Sequence, residues 1–228
     1  MKTGLQQIQG IECLTVKGDA SDTAVIFLHG YGANMHDLFP LWQMWHQEKF
    51  DWYFPNGVQG LPMGHYEGRS WFSIDIEKLE KAMREGTHRD MGSSIPPEFD
   101  DTLKQLEYLV TEIAGKYKKV IIGGFSQGAM CATHLALKNG LNFSGLVLLS
   151  GSLLARDRFP NMARGIPFYQ SHGTGDPILP LAGAKELEEK LNSLNFQGKL
   201  KVFNGGHEIP PSVIHDVKSF LKQITDEA

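Results

Sequence analysis

The residues whose spacing carries the most chemistry are Gly124-Phe125-Ser126-Gln127-Gly128. They follow an apolar run, Val120-Ile121-Ile122-Gly123, and open a stretch rich in Ala, Leu and Met. A strand, a sharp turn and a helix are expected there, with a serine at the tip. Flanking glycines suit a turn too tight for a Cβ. A hydroxyl raised on such a nucleophile elbow is open to attack on a carbonyl carbon. With 25 glycines in 228 residues, a shuffled chain would carry this pattern about one time in seven. Alone, the pattern also fits a glycine-rich turn with Ser126 as a helix cap. A base and an acid are needed to decide.

A serine hydroxyl is a poor nucleophile at neutral pH, so it needs a base, and the base needs an orienting carboxylate. After a nucleophile elbow the expected chain order is serine, acid, base. Four histidines follow Ser126: His134, His172, His207 and His215. His134 lies two turns down the helix that Ser126 opens. His172 ends a strand, directly before a better-placed acid. His215 falls inside the last helix, where a surface or packing role is the ordinary reading. His207, in Asn204-Gly205-Gly206-His207, follows a strand and precedes the closing helix. It alone is placed to swing over a serine at the sheet edge. Among the acids, Asp157 reads as part of a solvated ion pair in Arg156-Asp157-Arg158, and Asp216 is inside a helix. Asp176 follows a strand, and Pro177 biases it toward an extended backbone. As a plain turn residue or helix cap it would have the same neighbours. Ser126, Asp176 and His207 stand 50 and 31 residues apart, each after its own strand. The base must be neutral to act, so activity is expected to fall on acidification.

A tetrahedral intermediate needs two donors aimed at its oxygen. One is expected from the backbone N–H of Gln127, at the free start of a helix. The other is expected from Tyr31, in Leu28-His29-Gly30-Tyr31-Gly32 after an early strand. His29 reads as a hydrogen bonder that fixes this loop rather than as a base.

These residues need a frame that brings strand ends together. Two-sided apolar runs at 24–28, 120–122, 146–149 and 166–169 read as buried strands, with further strands at 12–16, 52–54 and 200–203. The strand at 12–16 is expected at the sheet edge. Helical spacing appears at Leu38, Leu41, Trp42 and Trp45, and most cleanly from Phe99 to Tyr117. It recurs at 129–138, from Leu181 to Leu194, and from Pro210 onward. The alternation predicts an α/β protein: a mostly parallel central sheet with helices on both faces and chemistry at the carboxyl ends of the strands. One domain is expected over 1–228, with a loop-rich insertion at about 57–97 near the site. Its apolar residues suit a cover, a groove wall or a homodimer contact.

The composition excludes other classes. A net charge of −4 without a Lys/Arg cluster offers no footprint for nucleic acid. No apolar run is long enough to span a bilayer. The N-terminus lacks the apolar stretch of a signal peptide, which favours the cytoplasm. Cys13 and Cys131 have no metal-type spacing and read as buried free thiols.

Leu28-His29-Gly30-Tyr31-Gly32, Ser70-Trp71-Phe72, the elbow, Leu149-Ser150-Gly151, His172-Gly173 with Asp176-Pro177 and Pro180, and Gly206-His207 occur in this order. As a set, from about residue 22 to the end, they resemble the carboxylesterase / acyl-protein thioesterase / lysophospholipase family of small α/β-hydrolases, and look closest to its bacterial carboxylesterases. The resemblance implies the α/β-hydrolase fold without a large lid domain, no cofactor and no metal. It implies cleavage of a small-molecule acyl ester (thioesters and lysophospholipids being within the family's range) through an acyl-Ser126 intermediate. Ser126, Asp176 and His207 take the catalytic roles. Trp71 and Phe72, with Leu179, are then expected beside the acyl group. Three positions depart from the thioesterase branch: Tyr31, Ala33 and Ser73 stand where leucine, aspartate and aspartate are usual. They favour small esters over long acyl chains. Two other readings fit the same fold: a non-catalytic ligand-binding module, which would not need all three groups, and a peptidase, separable by comparing ester with amide turnover.

Overall fold

The computed structural model describes residues 1–18, 20–45, 50–63, 66–87, 91–93, 95–159 and 165–226. Ten strands run through them: β1 (Lys2–Ile8), β2 (Ile11–Lys17), β3 (Thr23–Leu28), β4 (Phe50–Pro55), β5 (Gln59–Met63), β6 (Tyr66–Ser70), β7 (Lys119–Phe125), β8 (Gly145–Leu149), β9 (Pro167–Gly173) and β10 (Gln197–Phe203). The helices are α1 (Trp42–Trp45), α2 (Ile76–Arg84), α3 (Phe99–Ala114), α4 (Gln127–Ala136), α5 (Leu181–Ser193) and α6 (Pro211–Asp226). Eight strands form one sheet in the order β1-β2-β4-β3-β7-β8-β9-β10. β2 runs against β1 and β4, and all other neighbours are parallel.

The apolar runs fill the middle of this sheet because both of its faces are covered. Alternate side chains of a strand point to opposite faces. Ala24, Ile26, Leu28, Ile122, Leu146 and Leu148 pack with α3, α4 and α5. Val25, Phe27, Ile121, Val147 and Leu149 pack with α1 and α6. On α6 the buried residues are Val213, Val217, Leu221 and Ile224, spaced as one helical stripe. Each contributes roughly 2 kcal/mol by leaving water. α4 is buried along its whole length.

The parallel register carries the carboxyl ends of β3, β7, β8, β9 and β10 to one edge. Leu28 lies beside Gly124, Phe125 beside Leu149, Leu149 beside Ser171, and Phe203 beside Gly173. The loops that leave these ends hold the candidate residues.

Three expectations change. The 12–16 strand is not at the edge, because β1 pairs with it along its whole length. β1 is polar and exposed except at Ile8, so it has no hydrophobic signature. The segment at 57–97, expected to be loop-rich, contains the β5–β6 hairpin and α2. Residues 64–65, 88–90 and 94 of that segment lie outside the described residues. Finally, the helical spacing from Leu38 to Trp45 resolves into a single tight 3₁₀ turn, Phe39–Leu41, followed by one α turn.

Candidate active site

Ser126 sits between the end of β7 and the start of α4 with φ 54° and ψ −117°. This is left-handed territory for a residue with a side chain, at a cost of order 1–3 kcal/mol. The turn is held by the Ser126 N–H donating to the Leu149 carbonyl at 2.8 Å. Its tightness explains the flanking glycines. A Cβ on Gly124 would lie 2.4 Å from the Gly128 carbonyl carbon, and one on Gly128 would lie 2.1 Å from the Leu28 oxygen.

His207 approaches Ser126 from the loop after β10. Its Nε2 is 2.8 Å from Ser126 Oγ, and its Nδ1 is 2.6 Å from Asp176 Oδ2. The Phe125 ring packs on the imidazole with centroids 4.8 Å apart. Asp176 is buried in the loop after β9, where its Oδ1 accepts from the Ile178 and Leu179 N–H groups at 2.8 and 2.9 Å. Burial alone would push this carboxyl up. The hydrogen bond and charge of His207 and the two N–H donors outweigh burial and hold it below the usual carboxylate range. The two loops are tied together, since Thr174 N–H donates to Phe203 O and Gly175 N–H to Gly205 O, both at 2.9 Å.

Four further histidines, His29, His134, His172 and His215, have other settings. His29 accepts from the Gly57 N–H at Nε2 (2.8 Å) and donates from Nδ1 to the Gly30 carbonyl (2.7 Å), which fixes the loop after β3 as expected. Burial lowers its pKa to about 4. His134 is buried on α4 and donates to the Leu154 carbonyl. His172 is buried behind Asp176 and donates to the Leu179 carbonyl at 3.0 Å. His215 is exposed on α6. Asp157 is not the hub of an ion pair: Arg156 pairs with Glu186 and Arg158 with Asp100.

Ser126 and His207 open onto a cavity of about 210 Å³. Gly30, Tyr31 and Gln127 border it on the serine side. Gln127 opens α4, so its N–H has no partner one turn back, and the helix dipole favours negative charge there. The loop holding Tyr31 is pinned to the hairpin by Gly32 N–H to Arg69 O (2.9 Å) and Arg69 N–H to Ala33 O (2.7 Å). The far walls are apolar: Phe72, Ile74, Leu79, Met91, Met130 and Leu179. Phe72 and Leu179 border the cavity. Trp71 does not. It is fully buried, because its indole N–H reaches back to the His29 carbonyl at 2.8 Å and takes the ring under the loop. Ile74, Leu79 and Met91 come from the 57–97 segment, whose apolar residues the sequence offered as a groove wall, whereas Met130, on α4, escaped the sequence reading.

A larger depression of about 620 Å³ runs along α3 and the end of α4. Two surface ion pairs, Arg158–Asp100 and Lys138–Glu107, border it, and among the described residues no serine or cysteine paired with a base does. Among the described residues no cluster of His, Cys, Asp and Glu is suited to a metal ion.

Comparison with known proteins agrees with this architecture. Residues 10–225 match the Phospholipase/Carboxylesterase family. Acyl-protein thioesterase 1 of Candida albicans is 28% identical over 235 residues, covering 94% of this chain and 97% of its own. Acyl-protein thioesterase 1 of Eremothecium gossypii is 31% identical over 137 residues, 56% of this chain and 58% of its own length. The Bacillus cereus carboxylesterase superposes with a TM-score of 0.74 at 22% identity, covering 94% of both chains. At that identity the likeness speaks for the fold alone. The family match spans nearly the whole chain: it belongs to the phospholipase/carboxylesterase family and is an esterase-type hydrolase of the α/β-hydrolase fold.

Proposed function

We propose that the protein hydrolyses carboxylic esters by two-step acyl transfer through Ser126. The observation that carries this reading is the unbroken chain Asp176–His207–Ser126, with links of 2.6 and 2.8 Å, at the mouth of an apolar cavity. Asp176 accepts from His207 Nδ1–H, which leaves Nε2 free to accept the Ser126 proton as Oγ attacks the acyl carbon. The Tyr31 and Gln127 N–H groups receive the oxyanion. The imidazolium then gives its proton to the leaving alkoxide. In the second half a water loses its proton to His207 Nε2 and attacks the acyl carbon, and Ser126 departs with that proton.

The relatives named acyl-protein thioesterase extend the same chemistry to thioesters, whose thiolate is a better leaving group and carries away the same proton from the imidazolium as a thiol. The small volume of the cavity favours short to medium acyl groups. Ser73, where the thioesterase branch usually has aspartate, donates to Glu98 at 2.8 Å. That residue's carboxyl is thereby held below its ordinary range. Wild-type protein should release p-nitrophenol from p-nitrophenyl butyrate in a burst, with the acyl group retained on the protein after rapid quenching. Ser126→Ala should release none above background. A folded wild type without turnover of any p-nitrophenyl ester would favour the ligand-binding module instead.

A further inference from the structure

The Gln127 side chain is buried, and both ends of its amide are taken by one dipeptide from another element. Its Oε1 accepts from the Trp71 N–H at 2.8 Å, and its Nε2 donates to the Phe72 carbonyl at 2.7 Å. Neither bond goes to α4's own backbone, so helix capping does not account for the side chain. The same dipeptide is gripped at two further points. Thr102 Oγ1, on α3, donates to the Trp71 carbonyl at 2.6 Å, and the Trp71 indole donates to the His29 carbonyl at 2.8 Å. Phe72 in turn lines the cavity and meets Phe99 edge-on, with centroids 5.4 Å apart. A buried primary amide costs free energy unless both ends are paired. Here the pairing ties the residue after Ser126 to the wall of the acyl cavity.

We infer that the Gln127 side chain is a positioning residue: it fixes the Phe72 wall relative to Ser126 Oγ and thereby sets which acyl lengths are processed well. This inference rests on the reading of Ser126 as nucleophile. The main-chain N–H and the side chain of Gln127 do separate things. An oxyanion contact serves every ester alike, whereas the position of the wall matters only to acyl groups long enough to touch it. Interactions made by one substrate and not another appear in the ratio of their kcat/KM values.

The test compares p-nitrophenyl acetate with the longest p-nitrophenyl ester, up to octanoate, that the wild type turns over. Gln127→Met keeps the length of the side chain and the main-chain N–H but removes both bonds. Thr102→Val removes the grip from α3 without touching the site. The long-to-acetate ratio of kcat/KM is expected to fall about tenfold in Gln127→Met and about threefold in Thr102→Val, mostly through KM of the long ester. A ratio that stays within about twofold of wild type in both variants overturns the inference. If Gln127→Met does not fold, Thr102→Val decides alone. The two levels are separable by fluorophosphonate labelling. An unlabelled wild type removes the nucleophile reading itself, whereas a labelled wild type with unchanged ratios removes only the role of Gln127.

Discussion

Ser126 holds a backbone conformation, φ 54° and ψ −117°, that glycine adopts without strain. Ser126→Gly should therefore separate chemistry from stability. Activity should fall on the order of 10⁴-fold or more, because the proposed nucleophile is gone. The melting temperature should rise by about 2–4 °C, the equivalent of roughly 1 kcal/mol of released strain. A thermal melt and an ester assay check both, and a lower melting temperature would refute the strain account. At this scale much was legible. Ser126, Asp176 and His207 each follow a strand, and parallel strands necessarily bring their carboxyl ends to one edge. Trp71 was misplaced because an indole N–H turns to whatever acceptor the tertiary fold offers, here a carbonyl of a distant loop. Met130 was invisible for the same reason: a cavity wall is assembled from segments with no common period.

Between elements, α4 packs closely against the end of β3. Gly128 lets the helix start directly on the Leu28 carbonyl, and a methyl group there would lie 2.1 Å from that oxygen. Backbone on both sides cannot move aside as a flexible side chain would. Gly128→Ala should cost on the order of 3 kcal/mol or more, seen as a large drop in the denaturant midpoint. Ala at Gly60, where nothing lies within 4 Å, should cost far less. An equal cost at both positions would contradict the packing account. The central strands and long helices were readable because burial on both faces or on one stripe leaves a period in the sequence. β1 left none, being exposed everywhere except Ile8 and held by backbone pairing to β2. α2 has no buried residue, and its start is fixed locally by Asp75 accepting from the Lys78 N–H. β1 is set by hydrogen bonding rather than by hydrophobic burial, and periodicity does not register it.

For the molecule as a whole, buried histidines set the response to acid. Burial lowers the pKa of His29 and of His134 from 6.5 to about 4 and also lowers that of His172. An unfolded chain binds protons at these sites before the folded one does. Folding stability should therefore decline as pH falls from about 6.5 toward 4, by roughly 3 kcal/mol for each fully expressed site. Asp176 works in the same sense but lower down: its contribution is present above the unfolded carboxylate pKa and is lost only as pH falls through its depressed folded value. Melting temperatures between pH 7.5 and 4.5 should fall steadily, and His134→Gln should flatten the slope. A flat profile in the wild type would mean that these imidazoles are not held neutral. Among the described residues no helix is long and apolar enough to cross a membrane. The interior of the sheet is packed mainly with apolar side chains, and Asp176 and His207 meet at its carboxyl edge.

The central claim is that Ser126 is the nucleophile, activated by His207 and Asp176. It is tested most directly by treating the folded protein with a fluorophosphonate probe and mapping the adduct by peptide mass spectrometry. The expected result is a single adduct on Ser126, lost in Ser126→Ala and strongly slowed in His207→Ala. A folded wild-type protein that carries no adduct, or carries it on another residue, would contradict the claim.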